Sequence, residues 1–129
     1  MHKIACLLGC SLILFSCAHR ALPVYNAEIN VPAAVQMESI PKSIKSALIE
    51  HGWTIQKDDA NLIESTIRVR SHSAEIRIPY NKESIRIQYV SSDNDLSSQE
   101  RDIQYIHRNY NRLIMILERD ISHNLATLQ

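Results

Sequence analysis

Between Ile63 and Tyr89 the chain alternates apolar and polar residues in three runs separated by short polar turns. Ile63, Ser65, Ile67 and Val69 fall on one side of the first run; Glu64, Thr66, Arg68 and Arg70 fall on the other. In the second, Ala74, Ile76, Ile78 and Tyr80 oppose Ser73, Glu75 and Arg77; in the third, Ile85, Ile87 and Tyr89 oppose Arg86 and Gln88. Period-two patterning over three successive runs demands strands with one buried face, which is the signature of an antiparallel meander. Residues 53–57 alternate as well and add a first strand, with a turn over residues 58–61. A two-residue turn at Ser71-His72 would set Arg68 opposite Glu75 and Ile67 opposite Ile76, both favourable cross-strand pairs. The next hairpin has two options. A two-residue loop puts Arg77 opposite Arg86; a four-residue loop avoids that like-charge pair.

Such a sheet needs a cover, and two helical stripes supply it. Ile40, Ile44, Ala47 and Leu48 recur at helical spacing, with Ser39 as the expected cap, Pro41 in the first turn and Gly52 as the stop. After a polar loop over residues 91–95, a long helix is expected over residues 99–125. Its stripe is Ile103, Ile106, Tyr110, Leu113, Leu117, Ile121 and Leu125. The fold class is therefore α+β: a two-layer sandwich of a four-stranded antiparallel meander with two helices on one face, ordered α-β-β-β-β-α.

The N-terminus follows a different grammar. Met1-His2-Lys3 is a cationic start, residues 4–15 are mostly apolar, and Ser16-Cys17 follows. This is the order of a secretory signal. The apolar run is shorter than the roughly 20 residues that a spanning helix needs. Three segments result: a signal over 1–16, an extended tether over 17–36 with a short edge strand as its one structural option, and a single α+β domain over 37–129. Removing sixteen residues from 129 leaves 113, enough for one small domain. Without Lys3, thirteen basic residues face fourteen acidic ones, a formal charge of −1. No basic excess argues for nucleic acid.

Leu14-Phe15-Ser16-Cys17 resembles the lipobox of bacterial lipoproteins, with Phe15 standing where the lipobox has a small residue. The resemblance implies cleavage before Cys17, a diacylglyceryl thioether on its sulfur and, with Ala18 rather than aspartate next, the periplasmic face of the outer membrane. Cys6 and Cys10 then leave with the signal, and the mature chain has no free thiol or disulfide. From the second strand onward the chain also resembles a group of short, uncharacterised proteobacterial envelope lipoproteins. The carrying residues are Ser71-His72-Ser73-Ala74, Ile78-Pro79-Tyr80, Ile85-Arg86-Ile87-Gln88-Tyr89, the polar loop to Leu96, and Ile106-His107-Arg108-Asn109-Tyr110-Asn111. Leu113 stands where that group has tryptophan. The resemblance implies a shared fold and an envelope address and brings no catalytic residues.

Two constellations merit weight. Arg68, Arg70, Arg77 and Arg86 would share the open sheet face, where arginine forks suit carboxylates and phosphates. His107, Tyr110 and Asn111 lie one helical turn apart. They would either fasten the loop over residues 91–95, with Tyr110 in the core, or bind a small ligand. Ser71-His72 reads as a turn rather than a nucleophile and base. His51, His72, His107 and His123 show no two-histidine spacing that would converge on a metal. No cofactor motif and no acid/base pair stands out. The expectation is a non-enzymatic, lipid-anchored envelope protein. Its sheet face or edge would bind another envelope component: a protein, peptidoglycan or a lipopolysaccharide phosphate. The alternative is a small-ligand-binding or substrate-processing domain with a site near His107 and Asn111.

Overall fold

The computed structural model describes the backbone of residues 23–94 and 100–127, and the side chains of residues 23–93 and 108–127. The expected signal segment over residues 1–16 and Cys17 lie outside the described residues, as do the side chains of Ile103, Ile106 and His107.

The protein is α+β, with a five-stranded antiparallel sheet and two helices. In chain order the elements are β1 (Ala27–Asn30), α1 (Ser39–Glu50), β2 (Thr54–Asp59), β3 (Leu62–Val69), β4 (His72–Pro79), β5 (Ser84–Asn94) and α2 (Glu100–Thr127). The sheet order is β1-β5-β4-β3-β2. The expected four-stranded meander is therefore one strand short. Ala27 and Ile29, from the segment expected as tether, are buried and pair with Ile87 and Ile85. β1 overlaps the short edge strand offered as the tether's structural option at residues 29–31; four residues give only two cycles of alternation, too few for the pattern to count it into the sheet. Val31 and Val35, just after it, also sit in the core.

α1 follows its stripe: Ile40, Ile44, Ala47 and Leu48 are all fully buried. Its start differs from expectation. Glu38 occupies the cap position without a side-chain bond, and Ser39 is already helical. Its end is a Schellman closure. Gly52, at φ +83°, donates to Ile49 O (3.2 Å), and Trp53 N donates to Leu48 O (2.9 Å). Trp53 and Leu48 then pack together in the one core cluster. In α2, Tyr110, Leu117, Ile121 and Leu125 are buried as expected, Leu113 is partly buried, and Ile114 joins them at full burial.

The hairpins correct the expected register. The β3–β4 turn is Arg70-Ser71, not Ser71-His72, with Val69 opposite His72. Arg68 therefore faces Ser73, and Ile67 faces Ala74. The offset is two residues along the partner strand, so every side chain keeps its face. The turn closes there because Arg70 adopts φ 57°, a conformation that costs non-glycine residues energy. The β4–β5 hairpin takes the four-residue option: Tyr80 bridges Ile85, and Arg77 faces Gln88. Asn81 Oδ1 builds that loop by accepting the amides of Glu83 (2.8 Å) and Ser84 (2.9 Å).

The expected loop over residues 91–95 is mostly strand. β5 continues to Asn94 after a bulge that leaves Val90 unpaired between Tyr89 (opposite Ile76) and Ser91 (opposite Glu75). The extra residue resets the alternation, so that Ser92 pairs with buried Ala74 and its Oγ bonds the Tyr89 hydroxyl (2.6 Å). A second bulge, at Gln56, interrupts β2. Beside it Ser65, fully buried on the apolar face of β3, donates to Thr54 O (2.7 Å).

Candidate functional site

The face of the sheet away from the core carries charge in ordered rows. Along one row, Gln88, Arg77, Glu64 and Lys57 are successive cross-strand neighbours from β5 to β2. Arg77 Nε lies 3.3 Å from Glu64 Oε1. On the neighbouring row Arg86 Nε lies 3.7 Å from Glu28 Oε1, β1 being the partner strand. Both arginines remain half or more exposed, so these are weak, solvent-screened pairs. A shallow polar groove crosses β1 and β5 over Asn26, Glu28, Arg86 and Gln88. Arg68 is exposed on the same face. Arg70 is not there. The turn carries it to the end of the sheet, where it lines a cleft on the helical side.

The sheet edges are unequal. β1 is four residues long. β2 is exposed, bulged and charged through Lys57, Asp58 and Asp59, all of which discourage strand addition.

The cleft encloses about 330 Å³ between the β3–β4 hairpin and α2. Its floor is Ile67, Val69, Ala74, Tyr110 and Leu113; Arg70, His72 and Arg112 supply polar groups. Tyr110 is 2% exposed and stands edge-on to Tyr89, with ring centroids 5.0 Å apart at 83°. Its hydroxyl is buried without a hydrogen-bond partner among the described residues. Burial first, and the neighbouring Tyr89 second, push its pKa above the usual 10. The sequence placed Tyr110 in the core correctly. It missed Arg112, whose i+4 spacing from Arg108 was the available signal.

Asn111 has a different partner from the one expected. Its side chain clamps the N-terminal segment: Nδ2 donates to Pro23 O (3.0 Å), and Oδ1 accepts from Tyr25 N (2.8 Å). Seven residues further along α2, Glu118 accepts from the Tyr25 hydroxyl. That bond, more than burial, raises the Tyr25 pKa above 10. His107, Tyr110 and Asn111 therefore do not form one site through their described atoms: Tyr110 faces inward, Asn111 faces the β1 side, and the His107 side chain lies outside the described residues.

One group of side chains offers cation ligands. Glu50, His51 and Asp120, at the end of α1 and the middle of α2, bring their ligand atoms within 4.8 Å of one another. Asp120 is already engaged. His51 Nε2 shares a hydrogen bond with Oδ2, and Arg119 Nε donates to Oδ1 (3.0 Å). These bonds, the His51 one first, hold its carboxyl below the ordinary 3.8. The cluster reads as a staple between the helices; an ion there would have to break the His51–Asp120 hydrogen bond.

No helix among the described residues is long and apolar enough to cross a membrane. No protein-family model matches the chain, and no curated protein matches it.

Proposed function

We propose that the protein is a non-enzymatic, lipid-anchored component of the cell envelope. It is held through Cys17 at the periplasmic face of the outer membrane and binds another envelope component through the open face of its sheet. The observation that supports this reading is the contrast between the two faces of one sheet. One is buried against both helices; the other carries rows of exposed, weakly paired charge centred on Arg77 and Arg86. Exposed ion pairs exchange their partners at little cost, so these arginines can turn their forks to an incoming carboxylate or phosphate.

The test is cross-linking of the protein in intact cells, followed by mass spectrometry of captured species. Arg77→Gln with Arg86→Gln is the informative variant. A glutamate at position 77 would face Glu64 and add like-charge repulsion of its own. We expect one dominant envelope partner that the double variant loses at unchanged melting temperature. Capture of abundant bystanders alone, equal in wild type and variant, would sink the reading.

A small-ligand reading has one observation in its favour, the cleft beside the buried Tyr110 hydroxyl. Tyr110→Phe separates the two. If the hydroxyl is only a buried group, its removal leaves stability unchanged or raised, because no hydrogen bond is lost. A ligand that uses it would bind the variant more weakly.

A further inference from the structure

The seam between the two helices holds a chemistry that the sheet face does not use. His51 and Asp120 are 69 positions apart in the chain, and no spacing rule connects them. The fold does so by laying the end of α1 against the middle of α2, and both side chains stand on fixed backbone. His51 caps α1, its amide donating to Ala47 O (3.2 Å) immediately before the Gly52 closure. Asp120 is set in α2 between Leu117 and Ile121, both fully buried. One turn further along α2, Asn124 Nδ2 donates to Ser43 O (3.1 Å) and ties the helices a second time.

Glu50 completes the group, its ligand atom and those of His51 and Asp120 lying within 4.8 Å of one another. Two ligands on one tetrahedral zinc ion stand roughly 3.3 Å apart, given bonds of about 2.0–2.2 Å. Small side-chain rotations therefore bring all three onto one ion. Glu50 can make such a rotation: it is exposed and has no hydrogen bond or ion pair among the described residues. His51 and Asp120 are partly buried, which leaves one side of the ion open to water. The bonds already present divide the Asp120 carboxylate in a useful way. Arg119 holds Oδ1, whereas His51 meets Oδ2. An ion takes Nε2 and Oδ2; the hydrogen between them moves to Nδ1 or to solvent, and the Arg119 bond stays. The two carboxylates match the charge of a divalent ion, and the Arg119 guanidinium, mostly exposed, is screened by solvent.

We infer that Glu50, His51 and Asp120 form a zinc site that clasps α1 to α2. One imidazole with two carboxylates is a donor set that zinc accepts, whereas magnesium and calcium call for oxygen ligands throughout. Because the three ligands converge only in the folded chain, zinc stabilises the fold by mass action. The clasp fixes the helix layer that backs the sheet. It rests neither on the lipid anchor nor on the sheet-face reading, and it stands or falls separately from both.

The test is calorimetric titration of zinc chloride into the full chain with its cysteines alkylated, so that no thiolate competes. Melting temperatures are read with and without zinc. We expect one zinc per chain and a melting temperature that rises with zinc but not with the same concentration of magnesium. Glu50→Gln is the informative variant, because it leaves the His51–Asp120 and Arg119–Asp120 bonds in place. It should keep the zinc-free melting temperature, bind zinc severalfold more weakly and lose most of the zinc-induced rise. His51→Gln should abolish stoichiometric binding. Absence of saturable binding up to millimolar zinc overturns the inference. So does one-to-one binding that survives Glu50→Gln and His51→Gln unchanged, since the ion would then sit on other histidines.

Discussion

At the scale of single residues, side-chain amides and carboxylates do the fastening. Asn111 closes two backbone hydrogen bonds to a segment more than eighty positions earlier. Asn111→Ala should therefore cost on the order of 1–2 kcal/mol, and amide exchange should show Tyr25 losing protection while α2 keeps its own. The His51–Asp120 staple predicts a pH dependence whose sign follows from the carboxyl. Its folded pKa lies below 3.8, so between the two values the unfolded chain binds more protons. Stability from this group is complete above 3.8 and is lost as pH falls through the folded value. Denaturant midpoints measured down the acid range should fall less steeply in Asp120→Asn than in wild type.

At the scale of elements, what the sequence discloses depends on how many times a pattern repeats. α1 and α2 are legible because Ile40, Ile44 and Leu48, or Tyr110, Leu117 and Ile121, recur over several turns and all reach the core. β3 and β4 are legible in face though not in register, since the position of the turn rests on Arg70 taking a positive φ that no arginine advertises. The end of β5 is hidden by one residue: Val90 bulges, and the alternation that would have marked residues 91–94 as strand changes phase there. The arginines of the candidate face were placed correctly wherever they lie inside a strand, as Arg77 and Arg86 do. Arg70 was misplaced because the strand ends before it. β1 makes a sharp prediction. Were residue 29 part of a tether, Ile29→Ala would be silent. Buried at 5% exposure opposite Ile85, it should cost about 2–4 kcal/mol, read as a drop in the denaturation midpoint.

At the scale of the molecule, the pairing of β1 with β5 governs the order in which the fold can be completed. Ala27 is synthesised early, and its partner Ile87 comes sixty positions later, whereas the hairpins β2–β3, β3–β4 and β4–β5 close over short loops. Loop-closure entropy favours those hairpins. The last strand to join the sheet is then the first one made. Until the N-terminal segment returns to it, one flank of β5, with Ile85 and Ile87, stays open. A chain at that stage would be four-stranded with an exposed, apolar, strand-accepting margin, the kind of surface that chaperones shield. Any delay in seating Ala27–Asn30 prolongs its exposure to aggregation.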